Sequence, residues 1–487
     1  MGTHEGQKEL FSYGVNLDRR VRADHPLRAI RSTIDFSFVR AEVAGCYGRN
    51  GNESIDPVVI MKLMFVLFFD NVKSERELMR MLPERLDYLW FLGFGLDDEI
   101  PDHSVLSKAR TRWGQTVFES LFVRTVQQCV AAGLVDGSKL HVDGSLVNAH
   151  ASRDAVVQAS PELIAALKQA YQVEEQKLEG APGAPRPMNA TLCSTTDPDA
   201  PVVRNSKIGA SGDTRPRYKQ NRAVDDRCGV ITATITTGGH VAEPTQTIPL
   251  MEQHCQTTGH HVTTIIGDQQ YGTIDNHRTL QQRGVRTHLK TLPGRPQVEG
   301  RFAPTDFVYD QMNDRYRCPA GQWLQSRRFD AERQHTQYTT SKGVCAACPL
   351  KAQCTSSKYG REVTRYLEHD LVLAARAQAR SPEAWRDYRR HRHLMEGSFA
   401  QSANCHGAKR SRWRRLWRQQ IQDWLIAVCV NVKILIKSLP SEPPASENHS
   451  GGAPGPRSVS VSSLLRRFTA NIAPINFQIP TAALAPH

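Results

Sequence analysis

Three acidic residues set the chemistry that this sequence can be read for: Asp143, Asp268 and Glu396. Asp143 closes the alternating run Lys139-Leu140-His141-Val142, and Asp268 closes the apolar run Val262-Thr263-Thr264-Ile265-Ile266-Gly267. Each run reads as a strand that delivers a carboxylate at its end. A carboxylate there is costly to bury unless it serves a metal or a partner. Oxygen ligands of this kind suit Mg²⁺ or Mn²⁺. Three clustered carboxylates repel one another until cations sit between them. Two such ions roughly 3.5–4 Å apart would activate an attacking oxygen and stabilise a leaving one in an in-line displacement. Asp225, Asp226 and Asp275 compete for these roles, and the first two read as turn or surface acids.

Glu396 lies in a different setting. Ser381-Pro382-Glu383 starts a helix, with Ser at the N-cap, Pro at the first helical position and an acid in the first turn. No breaker follows before Gly397, so Arg392 and Arg389 fall one and two turns ahead of Glu396 on one face. Taken alone this pattern fits a solvated salt-bridge face better than a site. The continuation Lys409-Arg410-Ser411-Arg412-Trp413-Arg414-Arg415-Leu416-Trp417-Arg418 interleaves bases with tryptophans, as a surface gripping a phosphate backbone requires. The charge balance agrees: 62 Lys and Arg against 49 Asp and Glu, a net of +13, favours a polyanionic partner. Nucleic acid is preferred to membrane, since the longest apolar runs are too short or too interrupted to span a bilayer. No signal segment opens the chain, so a cytoplasmic protein is expected, and its 11 cysteines read as reduced thiols or metal ligands.

The elements that must position these residues follow from pattern. Residues 1–135 read as helical: Asp56-Pro57 opens a long apolar helix, Ser74-Glu75-Arg76-Glu77 is a capping box, and a basic helix (Lys108, Arg110, Arg112) follows Ser104. This region is expected to bind DNA. Residues 136–290 read as strand, strand, strand, helix, strand, helix, strand, interrupted by a loop insert at 156–215. Two strands are expected between Ala223 and Val241, with Gly238-Gly239 as the turn. Residues 291–380 hold short strand-like pieces and four cysteines, and 381–438 return to helices. Residues 439–487 have the Pro, Ser, Gly and Ala composition of a disordered tail. Helices packed on a mixed sheet are the architecture this order describes.

Several blocks resemble bacterial insertion-sequence transposases of the DDE class. They are Asp24-His25-Pro26-Leu27-Arg28, Ser74-Glu75-Arg76-Glu77-Leu78, Pro101-Asp102-His103-Ser104, His141-Val142-Asp143-Gly144-Ser145, Ser194-Thr195-Thr196-Asp197-Pro198-Asp199-Ala200, Asp268-Gln269-Gln270-Tyr271-Gly272 and Met395-Glu396-Gly397-Ser398-Phe399-Ala400. The resemblance runs from about residue 15 to 437. It implies an RNase H-like α/β core with an N-terminal helical domain and a cysteine insert, and Asp143, Asp268 and Glu396 as the triad binding two Mg²⁺ (or Mn²⁺) ions. It further implies DNA as partner, a homodimer or higher synaptic oligomer, and cleavage at element ends followed by strand transfer. In that family a Tyr, an Arg and a Lys around the Glu hold DNA phosphates. Arg392 stands where the Arg belongs, but Arg389 occupies the Tyr position with Tyr388 one further back. Ala403 occupies the Lys position, with Lys409 beyond it. DNA contact is therefore assigned to Tyr388, Arg389, Arg392, Lys409, Arg410, Arg412, Arg414 and Arg415. A decayed DNA-binding remnant and a nuclease without strand transfer are the alternatives left open. Cys318, Cys345, Cys348 and Cys354 include one CxxC, compatible with a structural Zn²⁺ site or with reduced core thiols.

Overall fold

A computed structural model of the chain describes residues 15–48, 54–153, 155–158, 160–176, 192–205, 213–291, 300–331, 334–341 and 343–439. The breaker-rich loop at 180–185 and the tail from residue 440 onward lie outside the described residues.

The first long helix, α1 (Pro57–Phe69), starts where the Asp56 side chain accepts the Val58 N–H at 2.9 Å. Every residue of α1 except Lys62 is buried, so the helix is enclosed on all sides. Ser74 caps the next helix by accepting the Glu77 N–H at 3.1 Å. Then come α2 (Ser104–Trp113) and α3 (Thr116–Ala131). Arg110 on α2, expected on a DNA-facing surface, is instead turned inward. It is 3% exposed, bonds Glu75, and lies 3.9 Å from the Trp413 ring centroid.

The sheet is built from β1 (Lys139–Asn148), β2 (Asp213–Asp225), β3 (Ile231–Gly238), β4 (Thr264–Gly272) and β5 (Arg286–Thr291). Their order is β3-β2-β1-β4-β5, with the short strand Val202–Asn205 added along the outer half of β2. β2 runs antiparallel to β1 and β3, while β1, β4 and β5 are mutually parallel. That order, with the second strand reversed, is the RNase H-like arrangement. Leu140 and Val142 point from β1 into a core shared with Leu250, Met251 and Leu280. The alternate residues His141, Asp143 and Ser145 point to the opposite face, as the two-residue period of a strand requires.

Helices cover both faces. α4 (Thr247–Thr258) and α5 (Ile274–Gln282) supply the Leu250, Met251 and Leu280 side. α6 (His369–Ala379) packs against β5, and α7 (Pro382–His406) crosses β5, β4 and β1 on the other side. α7 starts as its sequence indicates, the Ser381 hydroxyl accepting the Ala384 N–H at 3.1 Å with Pro382 in the first turn. It runs on through Gly397 and stops at Gly407, whose φ of 66° suits a residue without Cβ. α8 (Leu416–Ser438) joins α1–α3 and the hairpin residues Val224, Val230 and Ile231 in one continuous apolar core.

Two details differ from the sequence reading. Neither β1 nor β4 ends at its aspartate: β1 continues to Asn148 because β2 pairs with it as far as Arg217, and β4 continues to Gly272. The β2–β3 turn is formed at 226–229, closed by the Asp225 N–H to the Val230 carbonyl at 2.9 Å. Gly238-Gly239 instead leaves β3 towards α4. Asp225 is a turn acid but a buried one, accepting the N–H groups of Asp136, Gly137 and Arg227. The insert is a separate five-stranded antiparallel sheet: β6 (Val308–Asp310), β7 (Arg315–Arg317), β8 (Trp323–Asp330), β9 (His335–Thr339) and β10 (Glu362–Tyr366). Its core is Phe307, Tyr316, Leu324, Tyr338 and Val363.

Candidate metal centre

The parallel register of β1 and β4 pairs Val142 with Gly267 and then stops. Asp143 and Asp268 are the next residue on each strand, so they come side by side where the two strands part. A third carboxylate joins them from a segment that the sequence reading passed over. Ligand oxygens of Asp143, Asp268 and Glu243 all lie within 4.8 Å of one another, and all three residues are partly buried. Asp143 accepts the Gly144 N–H at 2.7 Å and Asp268 the Gln270 N–H at 2.8 Å, which fixes both carboxyl groups against the backbone.

Glu243 opens a single 3₁₀ turn, Glu243–Gln246, between β3 and α4. Its carboxylate pairs with Lys219 at 3.3 Å, and Lys219 also donates to the Val241 carbonyl at 2.9 Å. The side chain lies against Gly144, where a Cβ would stand 2.9 Å from Glu243 Cδ and 3.1 Å from Oε1. Glycine within a strand marks such a close approach. That was the available signal: Asp143-Gly144, read as a strand end, is an interior strand position kept clear for another side chain.

Behind the acids the charge is positive and buried. Arg222, opposite Asp143 in the β1–β2 register, donates to the hydroxyls of Ser398 (2.7 Å) and Ser402 (3.0 Å) on α7 and to the side-chain amide oxygen of Gln220 (2.8 Å). Burial pulls its pKa down to about 10, opposed by the charges of Asp423 and Asp143. Two residues before Asp143, His141 bonds Asp226 at 2.9 Å and stacks on His391 of α7 at 5.5 Å. Tyr271 is wholly buried, and its hydroxyl has no hydrogen-bond partner among the described residues. Burial first, then the negative charges of Glu243, Asp143 and Asp268, hold that hydroxyl well above the usual tyrosine range. An all-oxygen donor set, a cradle that a Cβ would fill and an orphaned hydroxyl beside it fit a hard divalent cation.

Glu396 is not a member of this group among the described residues. It is exposed on α7, as are Arg389 and Arg392, while Tyr388 is half-buried and burial raises its phenol to about 12. Asp387, His391, Met395, Ser398 and Ser402 are among the buried side chains of α7, and Glu396 is not. Lys409 is exposed and donates to the Ser145 hydroxyl at 2.6 Å, two residues along β1 from Asp143. Backbone bonds of Lys409 and Ser411 with Asn148 tie this segment to the end of β1. Arg410 and Arg414 are exposed, but Arg412 and Arg415 are not placed as a phosphate-gripping surface requires. Arg412 donates to the Leu67 carbonyl and to Asn71, both at 2.9 Å, and stacks on Phe68. Arg415 is 8% exposed, and its N–H is accepted by Asp197. A cleft of about 340 Å³ opens beside them, lined by Arg110, His150, Trp413, Arg414, Arg415 and Arg418 among others.

A second acid-histidine group, His288, Glu383 and Asp387, is already neutralised by Lys139 (2.9 Å to Asp387) and Arg286 (2.9 Å to Glu383). The four insert cysteines line one small apolar cavity of about 30 Å³. Burial raises the Cys354 thiol, with the other three close enough to contribute. Their sulfurs are not gathered as closely as the three carboxylates among the described residues.

Two family profiles match the chain. Residues 15–112 match Transposase domain (DUF772), and residues 317–436, which include the four insert cysteines and Glu396, match Transposase DDE domain. No curated protein matches. Among solved structures the chain is similar to a piggyBac transposase synaptic complex with hairpin DNA, at 12% identity and a TM-score of 0.32, covering 94% of this chain and 87% of that one. Among the described residues no helix is long and apolar enough to cross a membrane.

Proposed function

We propose that this chain, which belongs to the DDE-type transposases, cuts DNA at the ends of a mobile element and joins the freed ends to target DNA. The observation that carries the proposal is the convergence of Asp143 and Asp268 where parallel β1 and β4 separate, on a sheet of RNase H-like order. Asp143 and Asp268 hold the divalent cations, and Glu396 completes the site on the DNA-bound protein. The all-oxygen donor set favours Mg²⁺ or Mn²⁺, which when bound supply Lewis acidity at the phosphate and a more acidic water.

In the first step a water oxygen bonds to the end phosphorus, the P–O3′ bond breaks, and the water proton passes to the leaving 3′-oxygen. In the second, that 3′-hydroxyl bonds to a target phosphorus and a target 3′-hydroxyl leaves, so the number of phosphodiester bonds is unchanged. The chain's own part is to place the DNA. Lys409, which donates to Ser145, and the exposed Arg389, Arg392, Arg410 and Arg414 are assigned as its phosphate contacts. Cutting two ends in one event calls for at least two copies of the chain. The insert is assigned a structural role, its Cys318, Cys345, Cys348 and Cys354 serving either as packed thiols or as ligands of a Zn²⁺.

The test is cleavage of element-end DNA by the full chain in Mg²⁺. Asp143→Asn, Asp268→Asn and Glu396→Gln are each expected to abolish cutting while end binding survives. A variant that cuts at near the wild-type rate removes its residue from the site. Nicked ends with no joined product in a plasmid assay would reduce the function to that of a nuclease.

A further inference from the structure

We propose that the DNA-free protein binds its first divalent cation through Asp143, Asp268 and Glu243, so that Glu243 and not Glu396 is the third carboxylate of the resting site. This rests on reading the acid group as the cleavage centre, and it assigns a ligand that neither the sequence reading nor the family matches name.

Three observations converge on Glu243. The first is distance: its ligand oxygen lies within 4.8 Å of those of both aspartates, whereas Glu396 stands exposed on α7 outside the group. The second is that its position is built. Gly144 leaves the space in which the carboxyl lies, and Lys219 holds the carboxyl from the β2 side at 3.3 Å. Asn276 and the Thr247 hydroxyl donate to the Pro244 carbonyl at 3.1 and 2.8 Å, anchoring the turn that carries Glu243. The third is a neighbouring side chain. Tyr271, three residues after Asp268, buries a hydroxyl that has no partner among the described residues, in the field of all three carboxylates. A buried hydroxyl left without a partner is unfavourable, and it marks this end of β4 as a polar site rather than plain core.

Charge gives the same answer. Three carboxylates so close repel one another, and Lys219 at 3.3 Å from Glu243 and Arg222 opposite Asp143 offset part of that repulsion. A divalent ion relieves their repulsion, and it does so without any DNA present. Glu396 is then available to join when phosphates bring α7's exposed face and the acids onto one substrate.

The experiment is Mn²⁺ titration of the full chain without DNA, followed by loss of the free-ion electron paramagnetic resonance signal. End cleavage is measured on the same preparations. Glu243→Gln is expected to weaken Mn²⁺ binding about tenfold or more, and Glu396→Gln to leave it within about twofold. Glu243→Asp keeps the charge but withdraws the carboxyl by one methylene, and a similar loss with unchanged circular dichroism separates ligation from misfolding. The assignment is overturned if Glu243→Gln binds Mn²⁺ like the wild type, or if Glu396→Gln weakens binding as much. Asp143→Asn distinguishes the two levels of failure. If it still binds Mn²⁺ and cuts DNA, the cleavage-centre reading falls. If it loses both while Glu243→Gln loses neither, only the assignment of Glu243 falls.

Discussion

Replacing Gly144 by alanine adds one methyl group at the point where Glu243 crosses β1. The new Cβ would lie 2.9 Å from Glu243 Cδ, 3.0 Å from Cγ and 3.1 Å from Oε1. Carbon atoms in contact rest at roughly 3.5–4.0 Å, so the carboxyl must withdraw by about 0.8 Å. The obstructing atoms are the far end of a flexible side chain, and no positive φ is involved, so the backbone has no reason to move. Alanine also restricts the unfolded chain, a gain of about 0.4–1 kcal/mol. Stability should therefore hold or rise slightly. Metal binding should not hold, because ligand oxygens sit at about 2.0–2.1 Å from Mg²⁺ in near-ideal octahedral geometry and a displacement of this size leaves the shell. The expected result is a Kd for Mn²⁺ about tenfold higher, or roughly 1.4 kcal/mol, by calorimetric titration with the melting temperature unchanged. Unchanged affinity at unchanged melting temperature would refute Glu243 as a ligand. A melting temperature several degrees lower would refute the packing argument, since it would mean that the methyl is not relieved by Glu243 turning aside.

Two further outcomes follow from the buried charges and the insert. Burial pushes Asp423 up to about 7, with the Thr236 hydroxyl, Arg222 and Gln419 opposing. A folded-state pKa above the unfolded value means that the stability contribution is full below about pH 4 and is lost as pH rises towards 7, a total of roughly 4 kcal/mol. The stability of Asp423→Asn relative to wild type should therefore climb between pH 5 and 7 and then level off. Buried His277 and His406, pushed down to about 4, act equally in both proteins and cancel. A difference that is flat with pH, in urea titrations at each pH, would contradict the protonated Asp423. For the insert, atomic emission on the purified chain decides between the two roles of the cysteines, one Zn²⁺ per molecule meaning ligation. Cys348→Ser should lose that metal and make the segment between residues 300 and 366 sensitive to protease, and a metal-free wild type with a protease-resistant insert would assign the cysteines to packing alone.

Much of the architecture is legible along the chain because it depends on neighbours. Ser381 and Pro382 start α7 through bonds within one turn, and the two-residue alternation of Lys139 to Asp143 sets which side chains of β1 face the core. The pairing of Asp143 with Asp268 was legible as well, since an acid after each of two apolar runs is a local pattern whose cost demands a partner. Hairpin placement was less so: Gly238-Gly239 and the turn at 226–229 are both plausible turn sequences, and only pairing of β2 with both β1 and β3 selects the second. Charge runs were misleading for a similar reason. Arg412 and Arg110 look like neighbouring members of basic surfaces, but Leu67, Asn71 and Glu75 arrive from elsewhere in the chain to receive them. Glu243 carries no mark in its own neighbourhood. What makes it a candidate ligand is a glycine about a hundred positions earlier that leaves room for it, a lysine on β2, and the place where two parallel strands part. Local periodicity and capping chemistry thus settle which elements form, whereas the company a carboxylate keeps is a long-range property, created only when the sheet closes and brings distant segments within a few ångströms.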